Sequence, residues 1–223
     1  MRWAAERLGH RFREPQLLER ALTHRSASQH HNERLEFLGD ALLNLVITQR
    51  LFEHEAGHSE GEMSRLRASV VKRDTLAELA RELSLQTHVV VGPGELRSGG
   101  AGRASVLANA LEAVIGAVLI DGGFAAAAAC VQRLMAGRLA ALPDAASLKD
   151  AKTRLQEWLQ ARGLGLPAYA VESTSGEPHR QTFVVRCAVA AKQASVSGHG
   201  ASRRSAEQDA AGHMLAKLIS DSE

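Results

Sequence analysis

The segment 107–120 contains only two polar residues in fourteen positions, and it constrains the fold more than any other part of the chain. Those two residues, Asn109 and Glu112, lie three positions apart and therefore share one face of a helix. A helix that is apolar all round is buried, and a charged Glu is almost never fully buried without a partner. Leaving Glu112 unpaired would raise its pKa or cost several kcal/mol. The segment therefore predicts a buried helix whose polar pair faces either another helix or a ligand.

A second predicted helix carries three carboxylates, Glu33, Glu36 and Asp40, spaced at i, i+3 and i+7. At about 100° per residue they fall within an arc of roughly 60°. Acidic residues on a helix are most often a solvated face, and that interpretation stays open at this point. The alternative is that this arc meets Asn109 and Glu112, where the converging carboxylates need one or two divalent cations. Ligands that are all oxygen favour Mg²⁺ or Mn²⁺ and argue against zinc.

Helical periodicity predicts an all-α domain over residues 1–146, followed by a linker at about 142–147. The predicted helices cover about 15–22, 31–52, 62–73, 74–85, 104–121 and 124–142. A glycine-rich stretch, 92–100, predicts a flexible loop. In the acidic helix, the residues predicted to face the core are Leu35, Leu38, Leu42, Leu45 and Val46.

Beyond the linker the period of the sequence changes. The predicted elements are a helix at 152–162, strands at 169–174, 182–189 and 194–198, and a helix at 202–220. This order, α-β-β-β-α over 147–223, predicts a small α+β domain in which two helices pack on one face of a three-stranded antiparallel sheet. The fold class is therefore multidomain, all-α followed by α+β.

Composition limits the classes of function. The net charge of +2 at pH 7 is too small to indicate a polyanionic partner by itself, so nucleic-acid contacts must come from local patches. We find no apolar run of membrane-spanning length and no secretory signal at the N-terminus. Cys130 and Cys187 are isolated, which is typical of buried thiols in a reducing compartment. We therefore expect a cytoplasmic protein with no membrane partner.

Short motifs along nearly the whole chain resemble the bacterial ribonuclease III family. The run 32–40, Asn-Glu-Arg-Leu-Glu-Phe-Leu-Gly-Asp, resembles the family signature. Later blocks follow in the family's order at 92–95, 98–100 and 111–113. The motifs at 152–157 and 202–207 are similar to the family's C-terminal double-stranded-RNA-binding domain.

This resemblance implies a homodimeric endonuclease that hydrolyses double-stranded RNA with Mg²⁺, for which Mn²⁺ substitutes. The expected products carry 5′-phosphate and 3′-hydroxyl ends, each subunit cuts one strand, and precursors of ribosomal RNA are the expected substrates. The resemblance assigns metal binding to Glu36, Asp40, Asn109 and Glu112, catalysis to Asp40 and Glu112, and supporting roles to Glu33 and Glu60. The family most often has Asp where this chain has Asn109, whose amide oxygen can bind Mg²⁺ but contributes no charge.

Duplex RNA is recognised by its shape, through 2′-hydroxyl and phosphate contacts across about 16 bp. The candidate RNA-binding residues are Gln156, Glu157, His179, Arg203 and Arg204. The two arginines begin a predicted helix, where their charge and the positive helix end both favour phosphate. Phe37 and Leu38 are candidates for the dimer interface that family membership implies, with ordinary core packing as the alternative.

Three functions remain open from the sequence. The first is a metal-dependent double-stranded-RNA endonuclease. The second is a duplex-RNA-binding protein whose cleavage is weakened by Asn109. The third is an all-α hydrolase of small nucleotides with an unrelated second domain, which the C-terminal motifs argue against.

Overall fold

The computed structural model describes residues 2–54, 57–97, 99–177 and 180–221. The chain separates into two compact units, Met1–Leu148 and Lys149–Glu223, each with a hydrophobic core of its own. The first unit is helical: α1 Arg2–Arg7, α2 Pro15–Ala21, α3 Glu33–His54, α4 Glu60–Val71, α5 Arg73–Glu82, α6 Pro93–Arg97 and α7 Ala104–Ala140. The stretch predicted as a flexible loop thus contains the short helix α6.

Helix α7 is the apolar helix predicted from the sequence, and it lies at the centre of the first unit. It is interrupted at Gly123, whose φ of 78° and ψ of 176° are not helical, so the two predicted helices are the two parts of α7. By length and composition α7 is the one helix of the described residues that is apolar enough to cross a membrane, although core helices pass the same test. Its apolar residues pack into the core with α3 and α5.

Helices α3 and α7 touch through their backbones at two glycines. A Cβ atom at Gly39 would lie 1.8 Å from the backbone oxygen of Glu112, and one at Gly116 would lie 2.2 Å from the backbone oxygen of Leu35. Neither position therefore accommodates a larger residue without moving a helix. This close approach brings the acidic side of α3 next to the polar pair of α7.

Helix α3 has two apolar faces, where the sequence predicted one. The core face contains Leu35, Leu42, Leu43, Val46, Ile47 and Leu51. The prediction that Leu45 faces the core is wrong, because its exposed fraction is 54%. Leu45 instead belongs to a second face with Phe37 and Phe52, which are 81% and 72% exposed. Seven- and eight-residue spacings keep these three side chains on one side of the helix.

A buried carboxylate ties α2 to α7. Asp121 is 3% exposed, and its oxygens accept hydrogen bonds from the backbone N–H of Arg13 at 3.0 Å and of Glu14 at 2.9 Å. Its Oδ2 also lies 2.7 Å from Nε2 of His10. Because Pro15 opens α2 and no side chain within α2 caps it, Asp121 serves as the acceptor for this helix start.

The second unit has the predicted order α-β-β-β-α. Its elements are α8 Ala151–Gln160, β1 Ala168–Ser175, β2 Thr182–Val189, β3 Ala194–Gly200 and α9 Arg203–Ser220. The antiparallel sheet has the order β1-β2-β3 and pairs Tyr169 with Cys187 and Cys187 with Val196. Helix α9 approaches β3 closely, since a Cβ at Gly198 would lie 2.1 Å from the backbone nitrogen of Ala210.

Candidate functional site

The acidic side of α3 faces the two polar residues of α7. Burial and the nearby charges of Asp40 and Glu36 raise the pKa of Glu112 to about 7. Burial and the charge of Glu33 also raise the pKa of Glu36, while a hydrogen bond from Asn109 opposes the rise. The solvated-face interpretation therefore does not fit Glu36, because these carboxyl groups influence one another across two helices.

Two of the acidic side chains have amide partners. Asn44 donates its side-chain N–H to Oδ1 of Asp40 at 2.8 Å, and Asn109 is hydrogen-bonded to Glu36. As they stand, no three His, Cys, Asp or Glu side chains of the described residues are placed to hold a metal ion together.

The chemistry of the donors nevertheless fits a hard divalent cation. Glu36, Asp40 and Glu112 offer carboxylate oxygens, and Asn109 offers an amide oxygen, the ligand types of Mg²⁺ and Mn²⁺. A bound cation would also remove the repulsion that raises the pKa of Glu112. The helices that carry these residues are in close backbone contact at Gly39 and Gly116.

The two supporting acids have different positions. Glu33 lies beside this group and pairs with Arg25, whose Nη1 is 3.1 Å from Glu33 Oε1. Glu60 is at the start of α4, accepts a hydrogen bond from Ser64 at 2.7 Å, and lines a cleft with Thr48. Thr48 follows Asp40 by eight residues, about 12 Å along α3. Within one chain the structure does not bring Glu60 to the other acids.

Next to these acids is a polar cavity of about 690 Å³ that the sequence did not reveal. Its lining is His24, Arg25, Ser26, Asn32, Glu33, Glu36, Glu95, Arg103, Ser105, Val106 and Asn109. These residues come from four separate stretches of the chain, so no single motif marks them. The signature run does contain Asn32, yet only its burial shows that it differs from an ordinary polar residue at a helix start.

The two candidates for the dimer interface differ in how exposed they are. Phe37 is 81% exposed, so ordinary core packing is wrong for this residue, whereas Leu38 is partly buried. Exposed aromatic residues on one helix face are unusual on a monomer surface and are typical of protein interfaces.

In the second unit, Gln156, Arg203 and Arg204 line one open cavity of about 700 Å³. Arg203 and Arg204 are the first two residues of α9, which Ser202 caps by accepting from the N–H of Ser205 at 3.1 Å. The cavity is also lined by Lys152, which the sequence analysis missed. Its spacing of four residues from Gln156 places both on one side of α8 and was the available signal.

The remaining two candidates of this unit are not part of that lining. Glu157 is exposed and accepts from Nζ of Lys149 at 2.8 Å. His179 lies outside the described residues. Glu207, beside the cavity, pairs with Lys152 at 2.7 Å and with Arg203 at 2.9 Å, and these hydrogen bonds lower its pKa.

Both units match known protein families. The family profile described as Ribonuclease-III-like matches residues 14–139, and the double-stranded RNA binding motif matches residues 151–218. The chain belongs to the ribonuclease III family. It is accordingly an endoribonuclease with a double-stranded-RNA-binding domain, and family membership excludes the small-nucleotide hydrolase considered from the sequence.

Ribonuclease III relatives match the chain over almost its full length. Ribonuclease 3 of Nitrosococcus oceani is 54% identical over 219 residues, which cover 97% of this chain and 94% of the relative. Ribonuclease 3 of Vibrio cholerae is 50% identical over 212 residues, covering 95% of this chain and 94% of the relative. A solved structure of the nuclease domain of ribonuclease III from Campylobacter jejuni has a TM-score of 0.59 at 39% identity, covering 60% of this chain and 95% of that chain.

Proposed function

We propose that this ribonuclease III cleaves double-stranded RNA with Mg²⁺, or with Mn²⁺ in its place, and leaves 5′-phosphate and 3′-hydroxyl ends. The observation that carries the proposal is Glu112, whose pKa rises to about 7 because it is buried beside Asp40 and Glu36. A protein keeps such an arrangement at a functional site when a bound cation offsets its cost.

Bound Mg²⁺ supplies Lewis-acid activation of water and neutralises charge on the phosphate. Glu36, Asp40 and Glu112 would hold the ion through carboxylate oxygens and Asn109 through its amide oxygen, and Asp40 and Glu112 are the proposed catalytic pair. Asn109 orients Glu36 by the hydrogen bond between them. The glycine contact between α3 and α7 fixes the two helix backbones that carry these groups.

The second unit would bind the duplex through the cavity described above. Arg203 and Arg204 favour phosphate because their charge adds to the positive end of α9. Gln156 and Glu157 on α8 would reach 2′-hydroxyl groups of a minor groove, and His179 is proposed to reach the next minor groove.

We also propose a homodimer formed through the exposed apolar face of α3. Phe37, Leu45 and Phe52 lie on that face with exposed fractions above one half, and Leu38 lies at its edge. The Campylobacter jejuni nuclease domain is described as having a region involved in dimer formation, which supports the same assembly here. Two copies would then place two sets of acids on one duplex. A cytoplasmic enzyme acting on structured precursors such as those of ribosomal RNA fits this proposal.

The proposal is tested by incubating the full chain with a long RNA duplex in Mg²⁺ and, separately, in EDTA. We expect discrete fragments with 5′-phosphate ends in Mg²⁺ and intact duplex in EDTA. The matched variant is Glu112→Gln, which keeps the size of the side chain and removes its charge. Binding of the duplex without cleavage in Mg²⁺ would instead support the alternative in which Asn109 weakens the site, and cleavage in EDTA would refute the metal proposal.

A further inference from the structure

Only one end of the polar cavity, at Glu36 and Asn109, takes part in the mechanism described above. It measures about 690 Å³ and continues from Glu36 and Asn109 on one side to Arg25 and Arg103 on the other. Space of this size is too large for a metal ion and its waters alone and is similar to that of small-ligand sites. The cavity therefore has room for part of a nucleotide strand next to the cleaved bond.

One side chain of the lining, Asn32, is a polar group that a ligand in the cavity could reach. Asn32 is 2% exposed, and its side-chain amide makes no hydrogen bond with another residue that the structure describes. Its backbone oxygen, in contrast, accepts from Leu35 and Glu36 at 2.9 Å. Because Asn32 lines the cavity, its amide can donate a hydrogen bond to a polar ligand there.

Cationic groups occupy the opposite wall. Arg103 is the residue before the first turn of α7, and Ser105 and Val106 of that turn also line the cavity. The Arg103 side chain is 48% exposed and pairs with Glu95 at 2.7 Å. Arg25 is 69% exposed and pairs with Glu33 at 3.1 Å. Both ion pairs are accessible enough for an incoming phosphate to exchange with a carboxylate.

The charges of the wall decide which ligand fits. Arg25 and Arg103 are each balanced by a carboxylate, and Glu36 leaves one negative charge in excess. A free anion is therefore a poor ligand for the metal-free cavity. When a divalent cation is bound at Glu36, the lining of the cavity has a net positive charge. A phosphate of the RNA strand is then attracted to it. The cavity thus favours a phosphodiester covalently linked to the one that is cleaved.

We propose that this cavity binds a phosphodiester of the RNA strand adjacent to the scissile one, an inference that rests on the proposed function. Arg103 pairs with that phosphate in place of Glu95, Arg25 does so in place of Glu33, and the amide of Asn32 donates a hydrogen bond to the same nucleotide. No bond is made or broken in this step. The arginines are thus positioning residues that fix the register of the strand relative to the acids.

The test is a scan of neutral linkages through the RNA. A duplex is synthesised with a single methylphosphonate at each position flanking the cleavage site, and KM and kcat are measured for the wild-type chain, Arg103→Gln and Arg73→Gln. Arg73 lies on α5 as part of an exposed pair with Asp74, so its variant matches the charge change outside the cavity. We expect one flanking methylphosphonate to raise the wild-type KM about tenfold with little change in kcat.

On the unmodified duplex, Arg103→Gln should raise KM about tenfold. It should also reduce by about one the steepness with which the logarithm of the binding constant falls with the logarithm of salt concentration, which we call the salt slope. On the sensitive methylphosphonate duplex it should cause no further loss, because the partner charge is already absent. Arg73→Gln should behave as wild type. Equal sensitivity of wild type and Arg103→Gln to every linkage would overturn the proposal. Failure of the wild type to cut the unmodified duplex would instead overturn the proposed function.

Asn32 is tested by Asn32→Asp, which keeps the shape of the side chain and replaces the amide donor by a charge. With an unchanged thermal unfolding temperature, this variant should raise KM at least as much as Arg103→Gln. An unchanged KM in a folded Asn32→Asp chain contradicts the assigned role of the amide. If the variant does not fold, the Arg103 scan still decides the proposal.

Discussion

Among single residues, Glu112 destabilises the folded chain when it is ionised, because it is buried beside two other carboxyl groups. Its folded-state pKa of about 7 lies above the ordinary value of 4.5, so the folded chain binds this proton more tightly than the unfolded chain. The associated stability is fully present below pH 4.5 and is lost as the pH rises through 7. Without metal at pH 8, the free energy of unfolding of Glu112→Gln should therefore exceed that of wild type by about 1–2 kcal/mol, after allowance for partial exposure.

Urea unfolding in EDTA at pH 5 and pH 8 measures this difference. At pH 5 wild type and Glu112→Gln should be nearly equal, because the carboxyl group is protonated in the folded chain. Glu53→Gln, which removes a charge from an exposed pair with Arg50, is the control and should show no such pH dependence. Equal differences between wild type and Glu112→Gln at both pH values would contradict the argument.

Asn109 sets the charge of the site. Replacing it in Asn109→Asp adds a carboxylate where the amide now binds Glu36, so metal-free repulsion rises while affinity for a cation increases. We expect the Mg²⁺ concentration for half-maximal cleavage to fall on the order of tenfold. Gln49→Glu makes the same charge change more than two turns beyond Asp40 on α3 and should leave the Mg²⁺ titration unchanged. Identical Mg²⁺ titrations for Asn109→Asp and wild type would show that the amide oxygen binds the ion as well as a carboxylate does.

At the scale of helices, Gly39 keeps α3 and α7 at backbone contact. A methyl group there would overlap the Glu112 carbonyl, so Gly39→Ala should destabilise the first unit by at least 3 kcal/mol or separate the acids and abolish cleavage. Gly137→Ala is the matched control, because Gly137 lies within a helix, α7, and its Cβ would meet open space. That variant should gain about 0.5–1 kcal/mol by reducing the freedom of the unfolded chain. Denaturant unfolding of both variants, with cleavage assays, distinguishes the two outcomes.

The start of α2 depends on Asp121. Burial by itself would raise the pKa of this carboxyl, but hydrogen bonds from Arg13, Glu14 and His10 outweigh it and leave the pKa below its ordinary value. Its contribution to stability is therefore present above the unfolded pKa near 3.8 and is lost as the pH falls through the lower folded value. Asp121→Asn should cost about 2–3 kcal/mol at pH 7 and much less at the lowest pH where the chain still folds. A constant cost across the acid range would refute this assignment.

Elements were predictable from the sequence where local rules determine them. The alternation in β2 predicted Thr182–Val189, and the small residues with an apolar stripe predicted α9 almost to its first residue. The sequence predicted that Glu36 and Glu112 lie opposite each other, because a lone charged residue in an apolar helix needs a partner. The exposure of Leu45 and the burial of Asn32 were not, since both depend on which tertiary neighbours cover a helix face.

At the scale of the whole molecule, RNA affinity is expected to depend on charges of the second unit. Arg203→Ala combined with Arg204→Ala should weaken duplex binding equally for unrelated sequences and lower the salt slope by about two, one for each lost phosphate contact. Lys192→Ala with Lys217→Ala is the control, because both lysines are exposed and Lys217 lies at the opposite end of α9. Filter binding across a range of salt concentrations measures both slopes. Identical slopes for the two double variants would exclude the arginines from the interface.

The backbone contact between Gly39 and Glu112 also limits how this enzyme can be engineered. Widening the gap between the ligands for a larger ion would require smaller groups between the two helices. Here no side chain lies between the two helices at that point, and none can be trimmed. A variant selective for a larger cation such as Ca²⁺ would need α3 and α7 to cross at a different angle or distance. A redesign must therefore change the packing of these helices before it changes the ligands.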